Sequence, residues 1–289
     1  MTLKEFFVAE DGRPHPPWRI LMFLVIVVAC VVVVTLTMRG FFDLVHQITG
    51  IGGTGAAYTT TIALLLAHWM TFESFDKRPW SFVGLGRENA RPAPLLSGVA
   101  LGGIPIAAAS LLLLGIGFMT LRQTTDGPWI ATAARLVIFL LPAALYEELL
   151  LRGYAFATLR EWLGPTAAVV FTSAVFGLLH GANPGSTYTP IAVVTLAGVY
   201  LAVILLATKS LYAAWLAHFA WNFVQAGILH VPVSGIPMAR PDYELLETGP
   251  DWLTGGEWGP EGGVAAAAAI LAGCAFLYWR HNKLKPTNG

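Results

Sequence analysis

The sequence is dominated by long apolar runs, each close to the roughly 20 residues that a helix needs to cross a bilayer. We predict spans at roughly 18–38, 54–75, 94–119, 129–159, 164–181, 189–208, 210–230 and 263–280, about eight in all. Only 12% of the 289 residues are charged, against about 25% in soluble proteins. The first run is expected to be a retained helix, since no small-residue cleavage site follows it at a suitable distance. The sequence therefore predicts an all-α, polytopic membrane protein in which residues 1–289 form a single integral membrane domain.

The charges between the runs predict an orientation. If the N-terminus is cytoplasmic, most lysines and arginines fall on the cytoplasmic side, and Arg39, Arg122 and Arg240 fall on the other. Cytoplasmic loops are enriched in Lys and Arg, and an even number of spans returns the C-terminus to the same side. We expect a plasma-membrane protein with cytoplasmic N- and C-termini and with the acidic connection 231–262 outside. The net charge is zero, so the expected partner is membrane lipid and not nucleic acid.

Two carboxylates and an arginine interrupt the fourth run, in the stretch LYEELLLRGY. A charged residue at mid-bilayer costs about 2.5–3.5 kcal/mol, and such residues usually face the bundle interior and mark a site. Glu148 and Arg152 are spaced i, i+4 and can pair on one helical face. Glu147 points about 100° away and lacks that partner. A packing ion pair would account for Glu148 and Arg152 but leaves Glu147 unexplained.

Further polar residues occur in later runs at the same four-residue spacing. His180 follows Phe176 by four positions, and His218 precedes Asn222 by four, so each pair shares a helical face. Taken singly, each of these is more often a satisfied core residue than a catalyst. His68 has no polar i+4 partner, and we interpret it as a packing residue.

Depth in the bilayer offers a reason to group these residues. Depth is counted from the cytoplasmic end of each helix at 1.5 Å per residue. If the helix of Glu147 continues to Arg160, Glu147 lies about 20 Å deep. His180 lies about 22 Å deep and His218 about 14 Å deep. With ordinary helix tilt, they can meet at one level.

Such a set suits hydrolysis of a peptide bond. A glutamate beside a histidine can take a proton from water and make it a nucleophile. A second histidine and an asparagine amide can donate hydrogen bonds to the oxyanion that then forms. The alternative is Zn²⁺ held by Glu147, His180 and His218, but the H-E-x-x-H signature is absent. We favour metal-free chemistry without a cofactor.

Three motifs in this order resemble the CPBP family of intramembrane proteases, which includes type 2 CAAX prenyl endopeptidases and bacteriocin-processing and immunity proteins. The motifs are Glu147-Glu148-x-x-x-Arg152, Phe176-x-x-x-His180 and His218-x-x-x-Asn222. The core of the resemblance is 130–225, and the stretch KRPWSFVGLG at Lys77–Gly86 is also similar.

The resemblance implies an eight-helix bundle with a polar cavity in the membrane, open to the cytosol or to the lipid. It implies that Glu147 and His180 activate water and that His218 and Asn222 form the oxyanion hole. Glu148, Arg152 and Phe176 are expected to support the site. The substrate would be a peptide or a membrane-anchored protein, prenylated in the eukaryotic branch of the family.

Two alternatives come from other classes of protein. A membrane scaffold or immunity protein could keep this fold without cleaving anything. A proton-coupled transporter could use buried Glu and His as a relay, but it would be expected to show an internal repeat, and the sequence has none that we would defend. The long connection 231–262 is expected to be a lid or an interfacial anchor.

Overall fold

The computed structural model describes residues 6–9, 11–49, 54–124 and 127–283. The all-α prediction is confirmed, because helices make up most of the described chain. The helices are α1 (Pro16–Thr49), α2 (Thr54–Thr71), α3 (Pro92–Gly115), α4 (Trp129–Arg152), α5 (Tyr154–His180), α6 (Tyr188–Thr208), α7 (Leu211–Phe223), α8 (Asp251–Thr254) and α9 (Val264–Lys283). The strands β1 (Met119–Gln123) and β2 (Tyr243–Glu247) form a short antiparallel pair.

Each of the predicted runs overlaps a helix in the structure, although the run 129–159 covers α4 and the beginning of α5. Among the described residues, five helical stretches are long and apolar enough to cross a membrane, and α4 and α5 together count as one of them. The helix α2 is made less apolar by its threonines, and α7 has only 13 residues before a π-helical turn at Val224–Leu229. The polytopic membrane fold is therefore supported, whereas the number of crossings stays a prediction.

The fourth helix ends earlier than predicted. We expected it to continue to residue 159, but α4 ends at Arg152, and the chain turns at Gly153 before α5 begins. The side chain of His68 explains the turn, because its Nε2 atom accepts a hydrogen bond from the backbone N–H of Tyr154 at 3.1 Å. A Cβ atom on residue 153 would lie only 2.4 Å from that Nε2 atom, so glycine is required there.

The break also invalidates the depth estimate for Glu147, which assumed one continuous helix to Arg160. A second interruption occurs in α5 at Gly164, where φ is 85°. Residues 154–163 therefore form a separate helical piece between the two breaks. The interpretation of His68 as a core residue agrees with its position, since it is buried and its Nδ1 atom bonds to the carbonyl of Leu64 at 2.7 Å.

The helix that carries His218 is fixed by a close approach of α3. A Cβ atom on Gly102 would lie 1.9 Å from the carbonyl oxygen of Ala217, so only glycine permits this packing. On the other side, Trp215 donates its indole N–H to the carbonyl of Leu141 in α4 at 2.8 Å. These contacts hold α7 between α3 and α4.

The connection 231–262 is folded, and its structure was not predicted. Strand β2 pairs with β1. The first residue of β1, Met119, was predicted to belong to the third span, but the helix of that span ends at Gly115. Trp258 is buried, whereas Trp252 is exposed. Glu261 is buried and accepts hydrogen bonds from Trp221 at 2.7 Å and from Gln225 at 2.8 Å. The connection is thus attached firmly to α7 and to the turn that follows it.

Candidate active site

Glu147 faces both histidines of the motifs, although it lacks an i+4 partner on its own helix. Its Oε2 atom lies 3.9 Å from Nε2 of His180 and 3.8 Å from Nε2 of His218. This oxygen is buried and makes no hydrogen bond with any residue that the structure describes. It is free to accept a hydrogen bond from a small molecule placed between the three side chains.

Glu148 joins His218 to Arg152. Its Oε1 atom lies 3.0 Å from Nδ1 of His218 and accepts a hydrogen bond from Nη1 of Arg152 at 3.1 Å. The side chains of Glu148 and Arg152 are both fully buried. The i, i+4 pair expected from the sequence is therefore present, and it also reaches a histidine on another helix.

Phe176 supports the site in two ways. Its ring lies 4.4 Å from the guanidinium carbon of Arg152 and 4.5 Å from the ring centre of His180. Its backbone carbonyl lies 2.8 Å from Nδ1 of His180. The four-residue spacing of the motif thus places the carbonyl and the ring of Phe176 against the same histidine.

A second nitrogen of Arg152 reaches from α4 to the backbone of α6. Nη2 donates to the carbonyl of Gly198 at 3.0 Å. A Cβ atom on Gly198 would lie 3.2 Å from that nitrogen and 3.1 Å from the Cα atom of Ser173. Glycine at this position therefore lets the arginine reach the backbone.

The four residues predicted to be catalytic line one cavity of about 380 Å³. Asn222 lies one helical turn after His218 and contributes to the same wall. Apolar side chains of α4 and α5 form much of the remainder, and Tyr146, Asn183, Ser234 and Met238 add to it. The structure thus brings together Glu147, His180, His218 and Asn222, as the sequence predicts.

The partners of the two histidines indicate which ring nitrogen is protonated. A carbonyl oxygen can only accept, so Nδ1 of His180 donates to Phe176 and its Nε2 carries a lone pair when the ring is neutral. Nδ1 of His218 faces a carboxylate that an arginine holds, so it also donates. Both Nε2 atoms lie near Oε2 of Glu147, and neither has a hydrogen-bond partner among the residues that the structure describes.

The donor atoms do not match a zinc site as they stand. Ligands at about 2.0–2.1 Å from a tetrahedral Zn²⁺ lie about 3.3–3.4 Å from one another, and the distances from Oε2 of Glu147 are 3.8 and 3.9 Å. Within the described ranges, no group of three His, Cys, Asp or Glu side chains is arranged to hold a metal ion.

Sequence reasoning missed the residues that the connection 231–262 contributes. Ser234 lines the cavity and is held by Glu261. The Oε1 atom of Glu261 accepts hydrogen bonds from the backbone N–H of Ser234 at 2.5 Å and from the hydroxyl of Ser234 at 2.6 Å. Asn183 donates to the carbonyl of Ser234 at 2.9 Å and closes the same rim. No helical spacing signals these residues, because they lie in irregular segments.

Comparison with known protein families identifies one segment of the chain. The family model described as type II CAAX prenyl endopeptidase, Rce1-like, matches residues 129–224. All three motifs lie within this segment, so the resemblance predicted from them is confirmed there. Comparison with curated proteins and with solved structures found no match.

Proposed function

We propose that this chain, similar over residues 129–224 to the Rce1-like type II CAAX prenyl endopeptidases, is an intramembrane endopeptidase. The family match supports a CAAX-type protease with a membrane-anchored peptide or protein as substrate. The observation that carries the proposed mechanism is the position of Oε2 of Glu147 opposite two imidazole Nε2 atoms in one cavity.

In this mechanism, Glu147 acts as the general base. A water oxygen can lie within hydrogen-bonding distance, about 2.8 Å, of both Oε2 of Glu147 and Nε2 of His180. Glu147 takes a proton from this water as its oxygen attacks the peptide carbonyl, and the same carboxyl group later gives the proton to the leaving amine. His180 holds the water, because its lone pair on Nε2 accepts the second hydrogen.

His218 and Asn222 stabilise the oxyanion that forms on the carbonyl. His218 can donate to it only when Nε2 carries a proton, and Nδ1 already donates to Glu148. The ring is then an imidazolium, whose charge the buried carboxylate of Glu148 stabilises. Hydrogen bonds directed at the oxyanion in an apolar, water-poor cavity are usually the largest single contribution to acyl-transfer catalysis.

Orientation in the membrane decides from which side a substrate reaches the cavity. The cavity extends to Ser234 and Met238 in the acidic connection, which the distribution of basic residues assigns to the external face of the plasma membrane. We propose that both termini are cytoplasmic and that substrates enter from the external side or laterally from the lipid. The family resemblance implies an opening to the cytosol or to the lipid. Lateral entry agrees with the second of these, whereas entry from the external side differs from the first.

Cleavage by purified protein tests this proposal. Wild type, Glu147→Gln and the control Glu73→Gln, which changes an exposed glutamate far from the cavity, are compared in detergent with a library of fluorogenic peptides. We expect the wild type and the control to cleave and Glu147→Gln to be inactive with an unchanged Tm. Full activity of Glu147→Gln would exclude the mechanism, and no cleavage by any of the three would favour the scaffold alternative.

A further inference from the structure

A second cavity lies at the basic end of the bundle, on the other side of Arg152 from the active site. Its volume is about 370 Å³, and it lies between the 3-10 turn Trp80–Val83, the start of α5 and the end of α6. Its polar lining residues are Ser81, Asn89, Arg152, Arg160 and Lys209. The stretch KRPWSFVGLG, to which the proposed mechanism gives no part, supplies one of its walls.

The charge in this second cavity is not neutralised. Neither Arg160 nor Lys209 forms an ion pair with any residue in the described part of the chain. No acidic side chain lines the cavity. Two cations that line one cavity without a carboxylate attract an anion from solution or from the membrane surface.

Arg152 adds a buried donor without a partner. Nη1 donates to Glu148 and Nη2 donates to Gly198, but Nε is buried and has no hydrogen-bond partner among the described residues. The side chain of Arg152 is fully buried and lines the cavity. An unsatisfied buried N–H costs about 1–3 kcal/mol. Since the side chain is fully buried, an anion in the cavity would stabilise Arg152 through its charge and not through a direct hydrogen bond.

We propose that this second cavity binds a phosphate-type anion, supplied either by a lipid headgroup or by a soluble phosphate compound. Arginine favours phosphate because several N–H groups of one guanidinium can bind its oxygens. Basic pockets between transmembrane helices at the cytoplasmic side are suited to anionic headgroups. An anion here is connected to the active site through Arg152 and Glu148 to His218.

Thermal unfolding in an uncharged detergent tests for this site without measuring cleavage. The two probes are inorganic phosphate at constant ionic strength, balanced with chloride, and phosphatidylglycerol in mixed micelles, with phosphate-free diacylglycerol as its control. Each raises the Tm if it binds the folded protein, and the concentration at half-maximal shift gives an apparent Kd. Wild type is compared with the double variant Arg160→Gln/Lys209→Gln. The control Arg39→Gln/Lys283→Gln removes the same charge from exposed positions outside the cavity.

We expect at least one probe to raise the Tm of the wild type and of the control, and the cavity variant to show an apparent Kd about tenfold higher or more. A response to phosphatidylglycerol alone identifies lipid phosphate as the ligand, and a response to inorganic phosphate identifies a soluble anion. No shift with either probe, or the same Kd in both double variants, would overturn the proposal. If the cavity variant is unstable without anion, Lys209→Gln alone, which changes an exposed side chain, replaces it.

Discussion

Nδ1 of His218 lies 3.0 Å from Oε1 of Glu148, so the second glutamate of the pair contacts a histidine on another helix. If Glu148 stabilises the imidazolium form of His218 in the transition state, Glu148→Gln should lower kcat by about 10²–10⁴. Loss of one oxyanion donor lowers kcat by about 10²–10³, and loss of a carboxylate that orients a catalytic histidine lowers it by about 10⁴. KM should change little.

The measurement is steady-state cleavage over pH 5–9, with Glu88→Gln as an exposed control. A purely structural role would lower the amount of folded enzyme without changing the shape of the pH profile. Wild-type kcat and an unchanged profile in folded Glu148→Gln would contradict the positioning role.

Asn222 is expected to act only on the oxyanion. Because it is one of two donors, Asn222→Ala should lower kcat by about 10²–10³ with little change in KM. The exposed Asn282→Ala serves as a control for loss of an amide. Unchanged turnover would assign Asn222 to the wall of the cavity only.

Arg152 is expected to stabilise the fold as well as the site. Arg152→Met leaves Glu148 buried without its cation, which should cost about 3–5 kcal/mol. Unfolding in detergent is compared with that of Arg39→Met, whose arginine side chain is 80% exposed. A variant that unfolds like the wild type would contradict the inferred role of the buried pair.

The proposed orientation predicts which face reacts with a reagent that cannot cross the membrane. In a background with Cys30→Ala and Cys274→Ala, Asp242→Cys should react with an impermeant maleimide in intact cells. Arg87→Cys should react only after permeabilisation. Both positions are exposed in the structure. The reverse pattern would invert the orientation and give the cavity access from the cytoplasm.

The sequence predicts the helices and the shared helical faces of the motif residues well, because both depend on local spacing. Four-residue intervals fix which side chains share a face, and the cost of burying charge indicates that those faces point inward. The grouping of Glu147, His180 and His218 was expected from their depth in the bilayer and from the family resemblance. The depth estimate for Glu147 used a helix that in fact breaks at Gly153, so the resemblance carries the grouping.

Other features depend on contacts between distant segments. The turn at Gly153 requires His68, which lies 85 positions earlier, and a single glycine in an apolar run is compatible with an unbroken helix. The fixing of Ser234 by Glu261 and the pairing of β1 with β2 likewise join segments whose proximity has no local signal. These are the features that sequence reasoning left out.

If Glu147 activates water without a metal ion, cleavage depends on its carboxylate and not on bound metal. The most direct measurement is cleavage of one peptide substrate by wild type and Glu147→Gln, each before and after treatment with a strong chelator, with the metal content determined in parallel. Wild-type cleavage should persist in the metal-depleted protein, and Glu147→Gln should be inactive under both conditions. Loss of wild-type activity in the chelator, restored by Zn²⁺, would contradict the metal-free mechanism.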